Sequence, residues 1–226
     1  MYLTADEWQA LALSLRVGLT CVVLSLPPGV FLGWLLARKS FRGKLFLDGL
    51  VHLPLVLPPV VTGYLLLLLL GRRGPVGRVL EDWLGVQVAF NWKGAVLASA
   101  VVGFPLMLRA IRLAIEAVDP RLERAARILG AGPVTTFFRV TFRLALPGVL
   151  VGALLTFARS LGEFGATITF ASNIAGETRT LPSAIFTYLS QPGGEGAAAR
   201  LAVLSVVLSF AALVASEWLA RRARRS

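Results

Sequence analysis

Five stretches of this chain are apolar for long enough to cross a lipid bilayer, and that pattern excludes most folds before any motif is considered. A helix needs about 20 predominantly apolar residues to traverse the hydrocarbon core, where a backbone survives only if its polar groups bond one another. The windows run from about Leu11 to Ala37, Leu45 to Leu70, Gly94 to Ile115, Phe142 to Leu161 and Leu201 to Ala220. Charged residues make up 15% of the chain and mean hydropathy is +0.75, too oily for a soluble domain, in which about a quarter of residues are charged. The sequence therefore predicts an all-α, polytopic membrane protein. It reads as one transmembrane domain over residues 1–226, with a core from about 11 to 220 and five spans plus a short half-helix. Six spans result if a short segment also crosses.

The net charge of +11 would suggest nucleic acid in a soluble protein. Here the cations fall in short blocks between the apolar runs, so topology explains them and no nucleic-acid partner is expected. Lysine and arginine mark the cytoplasmic side of short loops. Placing ARKSFRGK, the 118–147 segment and RRARRS inside puts the acidic MYLTADEWQA start outside and makes five spans alternate. Arg72, Arg73 and Arg78 are the discordant cluster, offset in charge by Glu81 and Asp82. With Asp6 and Glu7 where a signal peptide would carry a basic residue, the first window reads as a retained span.

Prolines punctuate the spans. Pro27 and Pro28 predict a kink in the first and Phe104-Pro105 one in the third. In the second, Pro54, Pro58 and Pro59 remove backbone donors, which at membrane depth requires neighbouring protein or a cavity to satisfy the freed carbonyls. That places Pro58, Pro59 and Thr62 among candidate pathway residues. Gly71 to Trp92 reads as polar and turn-rich, and Pro182 to Ser190 as a half-helix or re-entrant turn.

The 118–147 segment, VDPRLERAARILGAGPVTTFFRVTFRLALP, is a charged amphipathic interruption. Asp119-Pro120 starts a helix, Leu122, Ala125, Ala126 and Leu129 share one face, and Gly130 ends it. Pro133 opens a second helix that climbs back into lipid. Two readings stand: a helix lying on anionic membrane lipid, or a dock for a partner.

No catalytic residue, cofactor or metal site is predicted. The chain lacks a phosphate-binding loop, a Gly-x-Ser-x-Gly elbow and a His-Glu-x-x-His pair. Cys21 and His52, one of each type, exclude an internal disulfide and a Cys/His zinc set, and His52 lacks an obvious nucleophile or acidic orienter. Arg159 and Glu163 stand four apart, on one helix face. They form either a structural ion pair or, with Thr167 and Thr169, the lining or gate of an anion route in which Glu163 keeps Arg159 from trapping the anion.

The 118–147 segment resembles the cytoplasmic Glu-Ala-Ala loop of ABC-importer permeases. Ala125, Ala126 and Gly130 match the second, third and glycine positions. Arg124 stands at the glutamate position, with Glu123 just before it, and the closing Ile-x-Leu-Pro position holds Val140-Thr141-Phe142-Arg143. MYLTADEWQALALSL, HLPLVLPPVVTGYLLLLLLGRRG, FPLMLRAIRLAIEAVD, FARSLGEFGATITFASNIAGETRTLPSAIFTYL and QPGGE are similar to the molybdate ABC transporter permease family over essentially the whole chain. The resemblance implies a type I importer: two copies of the permease, two cytoplasmic ATPase subunits and an external oxyanion-binding protein. It assigns ATPase coupling to Leu122, Glu123, Arg124, Ala125, Ala126, Leu129 and Gly130, and contact with the binding protein to Gly176 and Arg179. Tungstate or sulfate/thiosulfate are the alternative cargoes. An intramembrane enzyme and a structural membrane protein are the alternative classes.

Overall fold

The computed structural model describes residues 3–223, and these form helices and their connections without a strand. The order is α1 (Ala5–Arg38), α2 (Lys44–Val56), α3 (Pro59–Leu70), α4 (Pro75–Leu84), α5 (Trp92–Glu116), α6 (Pro120–Ile128), α7 (Pro133–Thr136), a π-helical turn (Phe137–Thr141), α8 (Phe142–Leu161), α9 (Gly165–Phe170), α10 (Leu181–Leu189) and α11 (Glu195–Ala223). Among the described residues, four continuous helices are long and apolar enough to span: α1, α5, α7 running through α8, and α11. The fifth window is a bent pair, α2 and α3, which meet at 118°.

The prolines divide in their effect. At Leu57 and Pro58, each preceding a proline, both residues adopt extended backbone (ψ 143° and 134°) and the helix breaks. Elsewhere the prolines do not end a helix: α1 continues through Pro27 and Pro28, and α5 through Pro105. Packing overrides the local preference there. Gly29 and Gly33 let α1 approach α5 so closely that a Cβ on Gly33 would stand 2.7 Å from Ile111 Cγ2.

The turn-rich reading of 71–92 is also corrected, because α4 lies within it. Gly74-Pro75 starts it and Gly85, at φ +62°, ends it. Its glycines and charges hid the apolar stripe of Val76, Val79, Leu80 and Trp83. Arg72 pairs with Glu81 at 3.1 Å, so part of this cluster's positive charge is neutralised locally.

α5 is the axis of the bundle, with α1 and α8 along it and α3 against α9. It buries Ala95, Ala98, Val102, Met107, Leu108 and Ile111, and its small residues permit close helix contact. At one end of the bundle Thr4 and Glu7 form a reciprocal cap on α1. Glu7, fully buried, also accepts from Arg200 Nε (3.1 Å) and Nη2 (2.6 Å) at the start of α11. At the other end Arg38 donates to Glu123 (3.0 Å) and to the Val118 carbonyl (2.7 Å), and Arg112 bridges Asp48 (2.9 Å) and Glu116 (2.8 Å).

Candidate functional site

The first candidate is α6. Asp119 accepts from Arg121 N–H (2.8 Å), Pro120 occupies the first helical position, and Gly130 takes φ +88° after the last turn, all as its sequence predicts. None of its residues is buried. Leu122 is 48% exposed, Ile128 86% and Leu129 87%. Ala125 is exposed and Ala126 half-buried. Ile128, missed by counting along one face, stands out with Leu129 as an apolar pair ahead of Gly130 in a charged helix.

Glu123 does something other than present itself. Its Oε1 accepts from Arg38 and from Thr141 Oγ1 (2.8 Å), tying α6 to the end of α1 and to the π-helical turn. Arg124 is exposed. A π-helical turn inserts one extra residue. Here it delivers Phe137, Phe138 and Phe142 toward α1, with Trp34 edge-on to Phe137 at 6.0 Å. No sequence signal marks that turn. α6 is thus rigidly mounted on two spans, with its unpartnered apolar residues facing away from them.

The second candidate is the crossing of α3 and α9, where most of the expected pathway residues converge. A Cβ on Gly165 would meet Pro59 Cβ at 2.8 Å, and one on Gly63 would meet the Ala166 carbonyl oxygen at 2.6 Å and Thr169 Cβ at 2.9 Å. Pro58 caps α3. Thr62 and Thr167 are buried with hydroxyls that have no protein partner, whereas Thr169 donates to the Gly165 carbonyl (2.8 Å). The neighbouring Glu163 side chain is 1% exposed; Oε2 lies 2.8 Å from Arg159 Nη2, and Oε1 accepts from Ala166 N–H (2.9 Å) in the first turn of α9. The ion pair read from the sequence is present, and the same carboxylate caps α9.

Gly176 and Arg179 lie apart from both places, beside the start of α1. Gly176 has φ +77° close to Gln9, and Arg179, half-buried, donates to Asn173 Oδ1 at 3.0 Å. His52 does have an acidic neighbour, contrary to the sequence reading: Asp48, one helical turn earlier, brings its carboxylate to 3.2 Å and its carbonyl to 2.8 Å of Nδ1.

Comparisons with known proteins agree with this architecture. The model of the family described as "Binding-protein-dependent transport system inner membrane component" matches residues 29–225. The chain is 61% identical to the molybdenum transport system permease protein ModB of Escherichia coli K12, over 99% of this chain and 98% of the relative. It is 54% identical to that of Haemophilus influenzae, over 97% and 96%. At 36% identity, over 80% of this chain and 67% of the relative, stands a probable sulfate transport system permease protein cysT of Helicosporidium. Among solved structures, a bacterial alginate ABC transporter in complex with a periplasmic protein superposes with TM-score 0.74 at 17% identity, covering 97% of this chain and 80% of that one. The MetNI methionine ABC transporter, inward-facing, gives 0.68 at 18%, covering 96% and 94%. At these identities the two structures show a shared fold.

Proposed function

The chain belongs to the family of binding-protein-dependent transport system inner membrane components, and from that premise we propose that it is the permease subunit of an ATP-driven molybdate importer. Membership sets aside the intramembrane-enzyme and purely structural readings. Two copies form the route, two cytoplasmic ATPase subunits drive it, and an external oxyanion-binding protein delivers the cargo. The N-terminus lies outside and the C-terminus in the cytoplasm.

One observation carries the mechanism: α6 exposes Leu122, Ile128 and Leu129 while its other side is fixed to α1 and the π-helical turn through Glu123. An ATPase cleft that receives these side chains moves α6 as it closes, and the Arg38–Glu123–Thr141 tie passes that movement to the ends of two spans. Coupling is then a difference in affinity between two states. Ala125, Ala126 and Gly130 allow close approach, and Arg124 with Leu129 and Ile128 forms the contact; Glu123 acts as its anchor.

In the route, Thr62 and Thr167 offer the dianion neutral donors, and Arg159, paired with Glu163, attracts it without holding it. Pro58, Pro59 and Thr169 shape the crossing. Gly176 and Arg179 meet the binding protein on the outer side. Uptake of radiolabelled molybdate by vesicles carrying the full complex tests the reading, with tungstate and sulfate as competitors. Competition by excess tungstate or molybdate but not sulfate is expected. Preferential competition by sulfate would favour the sulfate reading, which the sulfate-permease likeness keeps in view.

A further inference from the structure

Beside the coupling helix, α1 and the segment from α7 through α8 enclose an apolar groove of about 680 Å³. Pro27, Val30 and Trp34 form one wall and Phe137, Phe138 and Phe142 the other. On α1 the lining runs from Leu26 to Trp34, about 12 Å of helix at about 1.5 Å per residue, within one leaflet of a hydrocarbon core about 30 Å thick. The α1 wall therefore fits within one leaflet, and the groove opens toward the end of the bundle that carries α6. Its walls, α1 and α8, stand apart from the α3–α9 crossing.

Its rim is cationic. Lys39 Nζ lies 5.6 Å from the Trp34 ring centroid, and Arg139 and Arg143 are exposed beside Phe138 and Phe142. Among the described residues none of these three cations is in an ion pair. The nearest carboxylate in the loop, Glu123, is already held by Arg38 and Thr141. An apolar slot, a tryptophan with Lys39 against its ring and two further unpaired cations next in sequence to the groove's phenylalanines match an amphiphile with acyl tails and an anionic head. A helix from a second copy would fill the slot and leave the three cations unneutralised.

We infer that the groove is a specific site for one anionic phospholipid of the leaflet on the coupling-helix side, with its acyl chain against Trp34 and Phe137 and its phosphate at Lys39. Because Phe137, Phe138 and Phe142 lead directly from α6, the lipid packs the joint between that helix and α1. The choice of leaflet rests on the proposed orientation; the site itself does not.

The test uses the full complex, carried from nanodiscs of mixed phosphatidylglycerol and phosphatidylcholine into detergent, with retained lipid counted by native mass spectrometry. One phosphatidylglycerol per permease chain is expected to remain in preference to phosphatidylcholine. Lys39→Glu should lower its retention about fivefold or more, the weight of one cation near an anionic lipid. Ala153→Phe, which fills the inner end of the groove, should abolish retention at an unchanged melting temperature. Equal retention of both lipids, or retention indifferent to both substitutions, would overturn the site. So would a disulfide between two Leu150→Cys copies, because a second copy would then occupy the groove. Lipid counting is independent of transport, so failure of the importer reading would leave this result standing.

Discussion

Replacing Leu129 with aspartate separates docking from folding more cleanly than any other change in α6. The side chain is 87% exposed, so its loss should alter the stability of the chain itself by no more than about 0.5 kcal/mol. In a docked state the same side chain is buried. Losing that burial forfeits about 1.5–3 kcal/mol, and an aspartate left in the cleft without a partner adds at least about 1 kcal/mol more. The total, about 2.5 kcal/mol or greater, weakens attachment of the ATPase subunits at least about 60-fold at about 1.4 kcal/mol per decade. The assay is ATP hydrolysis by reconstituted complexes, with and without loaded binding protein, alongside copurification of the ATPase subunits and the melting temperature of the permease. Copurification and stimulated hydrolysis should disappear while the melting temperature holds. Ile128→Asp, at 86% exposure, should behave alike. Wild-type stimulation in the Leu129 variant would refute the docking argument, and a fall in melting temperature matching the loss of activity would show the effect to be structural.

Three further outcomes follow from named contacts. Gly63→Ala would press a methyl against the Ala166 backbone at 2.6–2.8 Å; overpacking should cost about 1–3 kcal/mol and part α3 from α9, seen as ATP-independent efflux of radiolabelled molybdate from loaded vesicles. Glu7→Gln strips the charge facing Arg200 from a fully buried position and should destabilise the bundle by about 3 kcal/mol, at the low end for a buried pair because Arg200 reaches water; melting in detergent measures it. Arg179→Glu should weaken capture of the loaded binding protein in a pull-down while lowering stability by about 1 kcal/mol, the worth of its bond to Asn173.

What could be read from the sequence was whatever local chemistry decides. Asp119-Pro120 and Gly130 bound α6 because capping depends on the residues at the helix ends, and four of the five apolar windows became continuous helices long enough to span, the length that lipid demands. Proline effects were not legible, since identical Pro-Pro pairs break the chain at Pro58 yet pass through α1 at Pro27. The difference lies in α5, whose Met107 and Ile111 pack on Gly29 and Gly33. α4 was hidden because glycine and arginine outnumbered its apolar stripe. Glu123 could be placed in the loop but not oriented, because its partners Arg38 and Thr141 lie 85 and 18 residues away in sequence. Arg159 and Glu163, four apart on one helix, were legible as a pair for the opposite reason.

The ion pair between Arg38 and Glu123 also bears on the parity of the proposed topology. Two residues that touch are on the same face of the membrane, so the chain between them crosses an even number of times. If α5 is one crossing, the bent pair α2–α3 would supply the other, whereas a hairpin that dipped in and returned would leave Arg38 and Glu123 on opposite faces. The Arg112–Asp48 contact requires the same count. By the same rule, taking α1, α2–α3, α5 and α8 as the crossings between Glu7 and Arg200 would leave none for the α9–α10 stretch. With α11 as a fifth passage, the proposed topology would set the two ends of the chain on opposite sides.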